Sequence, residues 1–210
     1  MVQEPDLREE MALYAEGYRH IAGLDEAGRG SWAGPVVAGA VILPIDQPDL
    51  SQRLEGVRDS KQLTPRQRER LYGTIRSAAL AVGVGIVPPD VIDELGIVPA
   101  TRQAMGLALV QLDLLPDFLL IDFMNLPGLS VPQKGITGGD ALSLSIAAAS
   151  IVAKVTRDRW MIQLDAQYPG YGFARHKGYG TRQHRESLAR LGPSPIHRLS
   201  FAPMKLMPQG

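Results

Sequence analysis

An α/β or α+β fold in a single domain is what the sequence predicts, on three observations. Short β-rich apolar runs are interspersed with segments of helical spacing, no repeat period is visible, and no low-complexity linker divides the chain. At 210 residues, with 45% hydrophobic and 21% charged, the chain is long enough to bury one sizeable core.

"HIAGLDEAG" reads as a short strand running into a loop, and "PVVAGAVILP" (35–44) as a neighbouring buried strand bounded by prolines, so a hairpin-like pair is expected. "TPRQRERLYGTIRSAAL" opens with Thr64 as N-cap and Pro65 at the first helical position, followed by helical spacing at Leu71, Ile75 and Leu80. "AVGVGIVP" follows as a strand. A second helix, "VPATRQAMGLALVQLDLLP", carries Met105, Leu109 and Leu112, and the apolar strand "DFLLID" ends on Asp122. "DALSLSIAAASIVAKVTRDRWMIQLDAQYP" predicts a long helix, small and apolar first and charged later. A glycine-rich loop, a short helix "TRQHRESLARLG" and an irregular proline-containing tail complete the chain. The stretch from about residue 168 to 210 is expected to form a basic appendage on the core.

Composition narrows the chemistry. With no cysteine, disulfides and thiolate metal sites are excluded, so any metal must be held by oxygen or imidazole, which favours hard cations such as Mg²⁺. No run of about 18 apolar residues predicts a membrane span, and the acidic start lacks a secretory layout, so a cytoplasmic location is expected. Net charge is zero, but from Tyr171 onward seven Lys or Arg face a single acid, Glu186, beside three of the four histidines. A solvated surface is the ordinary explanation for such residues. It does not explain why Arg175, His176 and Lys177 crowd against "GYG".

Four acids fall at strand ends or helix starts: Asp25, Glu26, Asp122 and Asp140. Open α/β sheets gather their chemistry at strand ends. Four clustered carboxylates repel, so they need protons or cations, and two Mg²⁺ ions about 4 Å apart would make a clamp for in-line attack on a phosphodiester. Each acid also has an ordinary reading. Asp140 alone reads as a helix cap worth about 1 kcal/mol, Glu26 as a surface charge, and Asp25 or Asp122 as an ion-pair partner. Asp158 competes with Asp140, but on a continuous helix the two lie roughly 27 Å apart. Asp158 fits better as the i, i+4 partner of Lys154.

"GRGSWA" (28–33) matches the dinucleotide-binding fingerprint by letters, but Pro35 and a strand follow where that motif needs a helix. Its glycines are better explained as bringing backbone N–H groups close to a sugar or phosphate, or as a tight turn.

The blocks "IAGLDEAGRG", "AGPVVAGAVIL", "RDSKQLTPRQRERLY", "LLID", "GGDALSLSIAAASIVAKVTRDR", "YPGYGFARHKGYGT" and "GPSPIHRLSFAPM" together resemble the ribonuclease HII family over nearly the whole chain. The resemblance implies a ribonuclease H-like fold, a mixed central sheet flanked by helices with a small C-terminal helical extension. It implies an Mg²⁺- or Mn²⁺-dependent endonuclease that cuts the RNA strand of RNA–DNA hybrids and nicks duplex DNA 5′ of an embedded ribonucleotide, leaving 3′-hydroxyl and 5′-phosphate ends. The family's metal-binding acids map onto Asp25, Glu26, Asp122 and Asp140. Its Gly-Arg-Gly element maps onto Gly28, Arg29 and Gly30, whose backbone reads the ribose 2′-hydroxyl, and its tyrosine maps onto Tyr179.

A 2′-hydroxyl is the group that separates RNA from DNA at one sugar, and glycine amides supply donors at close range. Tyr179 adds a flat face for the ribose. Arg175, Lys177, Arg182 and Lys61 are expected at phosphates, which predicts salt-sensitive affinity. No histidine is required; His176 and His184 fit phosphate contact or a structural role. Phe123 after Asp122 and Ser31-Trp32 after the Gly-Arg-Gly depart from the family pattern, and Phe123 bears on metal spacing. A junction resolvase or transposase sharing the core would cut all-DNA substrates, and a non-catalytic module would bind without cutting. A monomer is the expected state, with no membrane partner.

Overall fold

A computed structural model describes residues 4–206 of the chain. In order along the chain run α1 (Arg8–Ala15), β1 (Ile21–Ala27), β2 (Val36–Ile42), α2 (Leu50–Arg53), α3 (Pro65–Ala78) and β3 (Ala81–Val87). They are followed by α4 (Pro89–Leu95), α5 (Ile97–Val110), β4 (Phe118–Asp122), β5 (Gln133–Ile136), α6 (Leu144–Gln167), α7 (Phe173–His176) and α8 (Arg182–Leu191). The five strands form one mixed sheet in the order β3-β2-β1-β4-β5. The expected hairpin is present, β1 pairing antiparallel with β2, while β4 runs parallel to β1 on its other side.

Period-2 alternation divides the strands between two apolar layers. Ile21, Val41, Phe118 and Leu120 pack with α3 and the small residues of α6, whereas Ala22, Leu24, Ala40, Leu119 and Ile121 pack with α4 and α5. Gly23 decides how close α6 can come. A Cβ there would strike the backbone of Ser145, so the first turn of α6 rides directly on β1. The sheet with helices on both faces is the predicted architecture. A third, smaller cluster joins Ala33, Met161 and Leu164 to Tyr171, Phe173 and Ile196 of the C-terminal stretch.

Several boundaries differ from the sequence reading for local physical reasons. Thr64 and Gln67 form the reciprocal capping box that starts α3, but the backbone turns extended at Ala79. Leu80 therefore leaves the helix, donates its N–H to Ile42 O at 2.8 Å and is half exposed. The long helix begins at Leu144, where Ser143 accepts from Ile146 N, and Asp140 sits earlier, in a 3₁₀ turn over Gly139–Ala141. Asp140 is thus not that helix's cap. The short elements α1, α4 and β5 carry no strong periodic signal, so pattern alone does not predict them. Among the described residues no helix is long and apolar enough to cross a membrane.

Candidate functional site

The sheet register brings the acids together. Gly23 pairs with Leu120 and Leu24 with Ile121, so one step further along these parallel strands Asp25 stands beside Asp122. Both side chains belong to the face covered by α6. Asp140 approaches from the turn before α6, held there because Gly139 N donates to Asp122 Oδ1 at 2.8 Å. Glu26, next in the strand, leaves toward the opposite face. Asp25 and Glu26 thus lie within β1 rather than on the loop beyond it.

Each carboxylate has one oxygen engaged. Asp25 Oδ1 accepts from Glu26 N at 2.6 Å, Glu26 Oε1 lies 3.2 Å from Arg29 Nη1, and Asp140 Oδ2 lies 3.2 Å from Lys61 Nζ. Glu26 Oε2 is buried and has no partner. Burial, then the neighbouring charges of Glu26 and Asp122, push Asp25 well above the usual carboxylate range, and Asp140 adds to the effect. Burial also raises Glu26 and Asp140, against the lowering influence of Arg29 and Lys61 respectively. The three shifts share one leading cause, the loss of water around a buried carboxylate, and the neighbouring acids add to it.

Divalent cations fit this donor set. All the donors are oxygens, the repulsion calls for added positive charge, and Glu26 Oε2 is an orphaned acceptor. Among the described residues, no three His, Asp or Glu side chains are already gathered into a metal cage.

Asp25, Glu26, Gly28, Arg29, Gly30, Lys61, Asp122 and Tyr179 line one open cavity of about 530 Å³, with Ser60, Arg68 and Lys154 also on its wall. Arg175 and Lys177 line a second cavity of about 440 Å³, which shares Arg68, Lys154 and Tyr179 with the first. Sequence reasoning missed Arg68 as a wall residue. It is nearly buried, donating to Ser60 O and Leu63 O and reaching Asp158 at 3.4 Å, and only its place among the charges of α3 could have marked it. Asp158 pairs with Lys154 at 2.6 Å, as the helical spacing predicts. Arg182 stands apart from both cavities and pairs with Glu186. His176 and His184 are buried with both ring nitrogens engaged, which favours the structural role for each.

Phe123 occupies the left-handed region at φ 62, a conformation that glycine adopts without strain. Its ring is 62% exposed and lies 6.0 Å from the Arg29 guanidinium, so the bulky side chain turns outward rather than into the acids.

Comparison with known proteins identifies the family and the fold. The family model described as Ribonuclease HII matches residues 22–204. A ribonuclease HII from Chloroflexus aurantiacus is 58% identical over 203 residues, covering 95% of this chain and 94% of that protein. The ribonuclease H2 from Pyrococcus horikoshii OT3 superposes with a TM-score of 0.71 at 29% identity, covering 89% of this chain and 95% of the other. Bst-RNase HIII in complex with Mn²⁺ shares the fold at TM-score 0.65 and 22% identity, covering 93% of this chain and 71% of that one.

Proposed function

This chain belongs to the ribonuclease HII family of endoribonucleases acting on RNA–DNA hybrids, and from that premise we propose that it also nicks duplex DNA on the 5′ side of a single embedded ribonucleotide, leaving 3′-hydroxyl and 5′-phosphate ends. One observation carries the reading: three of the four acids share a cavity with the backbone of residues 28–30 and with Tyr179, and the fourth lies within electrostatic reach.

In this reading Asp25, Glu26, Asp122 and Asp140 hold two divalent cations, Mg²⁺ or Mn²⁺. The chemistry available with the cations bound is activation of a water near neutral pH and charge stabilisation at the leaving 3′-oxygen. Lys61 steadies Asp140 and offers an ammonium to a phosphate at the cavity wall. The N–H groups of the Gly28–Gly30 turn meet the 2′-oxygen, and the Tyr179 ring lies against the ribose. Arg175 and Lys177, with Arg68 and Lys154 between them and the acids, follow the phosphate backbone along the second cavity. That the Mn²⁺-bound Bst-RNase HIII shares the fold is in keeping with this choice of metals.

The test is a duplex holding one ribonucleotide beside its all-DNA twin, each with Mg²⁺ and with EDTA. A single nick 5′ of the ribonucleotide, present only with Mg²⁺, is the expected product. Cutting of the all-DNA twin would point to a resolvase-like enzyme, and binding without cutting would point to a non-catalytic module.

A further inference from the structure

Arg157, on α6, and Arg198, in the C-terminal tail, are both fully buried. Arginine is rarely fully buried without an acid beside it. Here all the hydrogen bonds of both guanidiniums go to neutral oxygens. Arg157 Nη2 donates to Ser31 Oγ at 2.7 Å and to Ala33 O at 3.1 Å, while its Nε donates to Pro35 O and its Nη1 to Lys177 O, each at 2.9 Å. Arg198 donates through Nε and Nη2 to Gly34 O, and through Nη1 to Arg29 O at 2.9 Å. One turn of the chain is therefore gripped from two sides.

The grip sets directions. Ser31 Oγ donates to Gly28 O at 2.9 Å while it accepts from Arg157, so the Gly28 carbonyl faces the buried side. A trans peptide is planar with its C=O and N–H opposed, so the N–H of Arg29 turns the other way. The same holds one residue on. Arg198 takes Arg29 O, and the N–H of Gly30 turns outward, on the side where residues 28–30 line the cavity. Neither N–H donates to any backbone acceptor among the described residues. Gly28 is glycine for a matching reason: its φ is +96°, and a Cβ would run into Arg157 Nε.

We propose that Arg157 and Arg198 are positioning residues that aim the N–H groups of Arg29 and Gly30 into the groove and thereby set the preference for a ribonucleotide over a deoxyribonucleotide; the proposal rests on the function assigned above. Donors held in place before the substrate arrives need no reorganisation when they meet it. Two buried positive charges also polarise the carbonyls they hold, which strengthens the opposed N–H as a donor. Burial pushes Arg198 down to about 9, so its guanidinium remains charged at neutral pH.

The experiment measures binding in EDTA, where no strand is cut, to a duplex with one ribonucleotide and to its all-DNA twin. Ser31→Ala removes the link from Arg157 to Gly28 O and leaves both arginines buried. The ratio of the two dissociation constants is expected to fall about tenfold toward one with all-DNA affinity unchanged, while the melting temperature drops by a few degrees because one buried Arg157 N–H loses its acceptor. Arg157→Lys, which keeps the charge and loses the fork, is expected to move the ratio in the same direction. If Arg157→Lys fails to fold, Ser31→Ala decides alone. A wild-type ratio in the folded variants, or an equal loss on both duplexes, overturns the proposal. A wild-type protein that shows no preference in EDTA yet nicks only the ribonucleotide duplex with Mg²⁺ overturns the proposal alone, whereas one that nicks neither duplex sinks the functional reading beneath it.

Discussion

Lys61 Nζ stands 3.2 Å from Asp140 Oδ2, although the two residues lie 79 positions apart in sequence. The lysine is largely exposed and reaches in from the rim, while the aspartate is mostly buried. Burial lowers the Lys61 ammonium's affinity for its proton, but Asp140, Asp59 and Asp25 outweigh it and raise the group above its ordinary value. Asp140 is raised as well, because burial and its acidic neighbours prevail over Lys61. One lysine thus offsets only part of the negative charge. Replacing it with methionine keeps the stem and removes the charge, so Lys61→Met should melt about 2 °C below wild type in EDTA. Saturating Mg²⁺ should close most of that gap. An equal Mg²⁺-induced rise in both proteins would show that Lys61 does not balance the acids.

Asp25 leads to the opposite expectation for stability. It is buried beside other carboxylates, so its ionised form is disfavoured in the fold, and the cost grows as pH rises through its elevated value. Asn at this position keeps the oxygen that accepts from Glu26 N and removes the charge. Asp25→Asn in EDTA at pH 8 should therefore melt higher than wild type, while cleavage falls by on the order of 10³-fold. Melting curves with a nicking assay check both halves. A variant that is less stable, or that cuts at the wild-type rate, would remove Asp25 from the role proposed for it.

What the sequence made legible was what local pattern controls. Asp122 closes an apolar run, Thr64 and Pro65 mark a helix start, and Lys154 and Asp158 sit one helical turn apart, so strand ends, caps and this ion pair could all be read from spacing. Burial reached over long sequence distances could not. Arg157 sits in the charged half of the long helix and Arg198 in the cationic tail, and only the packing of α6 and the tail against residues 29–35 puts both inside. Glu10 is similar: it lies on α1, yet it is fully buried and accepts from Ser143 Oγ and Ser145 N at the start of α6. The splitting of Asp25 and Glu26 across β1 follows from period-2 geometry, but only once the strand is known to extend through both.

The histidines of the C-terminal stretch give a pH prediction whose sign follows from their tautomers. Ser194 N donates to His197 Nδ1 at 2.9 Å, so His197 carries its proton on Nε2 and donates it to His184 Nε2 at 3.0 Å. His184 then carries its proton on Nδ1 and donates to Tyr179 O at 3.0 Å. His176 stacks on His184 with ring centroids 4.4 Å apart. A second proton on any of these rings would face a donor or another cation. Burial first, and the neighbouring imidazoles second, push His197 down to about 4, and burial likewise takes His184 to about 4. In the unfolded chain both take up protons near pH 6.5. The unfolded state therefore binds more protons between pH 6.5 and 4, and stability is full above that window and declines as pH falls through it. Glu10, Asp25, Glu26 and Asp140 are raised and pull the other way, so a variant must isolate the imidazoles. Between pH 7 and pH 5 the melting temperature of wild type should fall about 5 °C further than that of His197→Gln. Calorimetry at the two pH values reads the difference, and parallel losses in the two proteins would mean that the imidazole chain is not the acid-sensitive element.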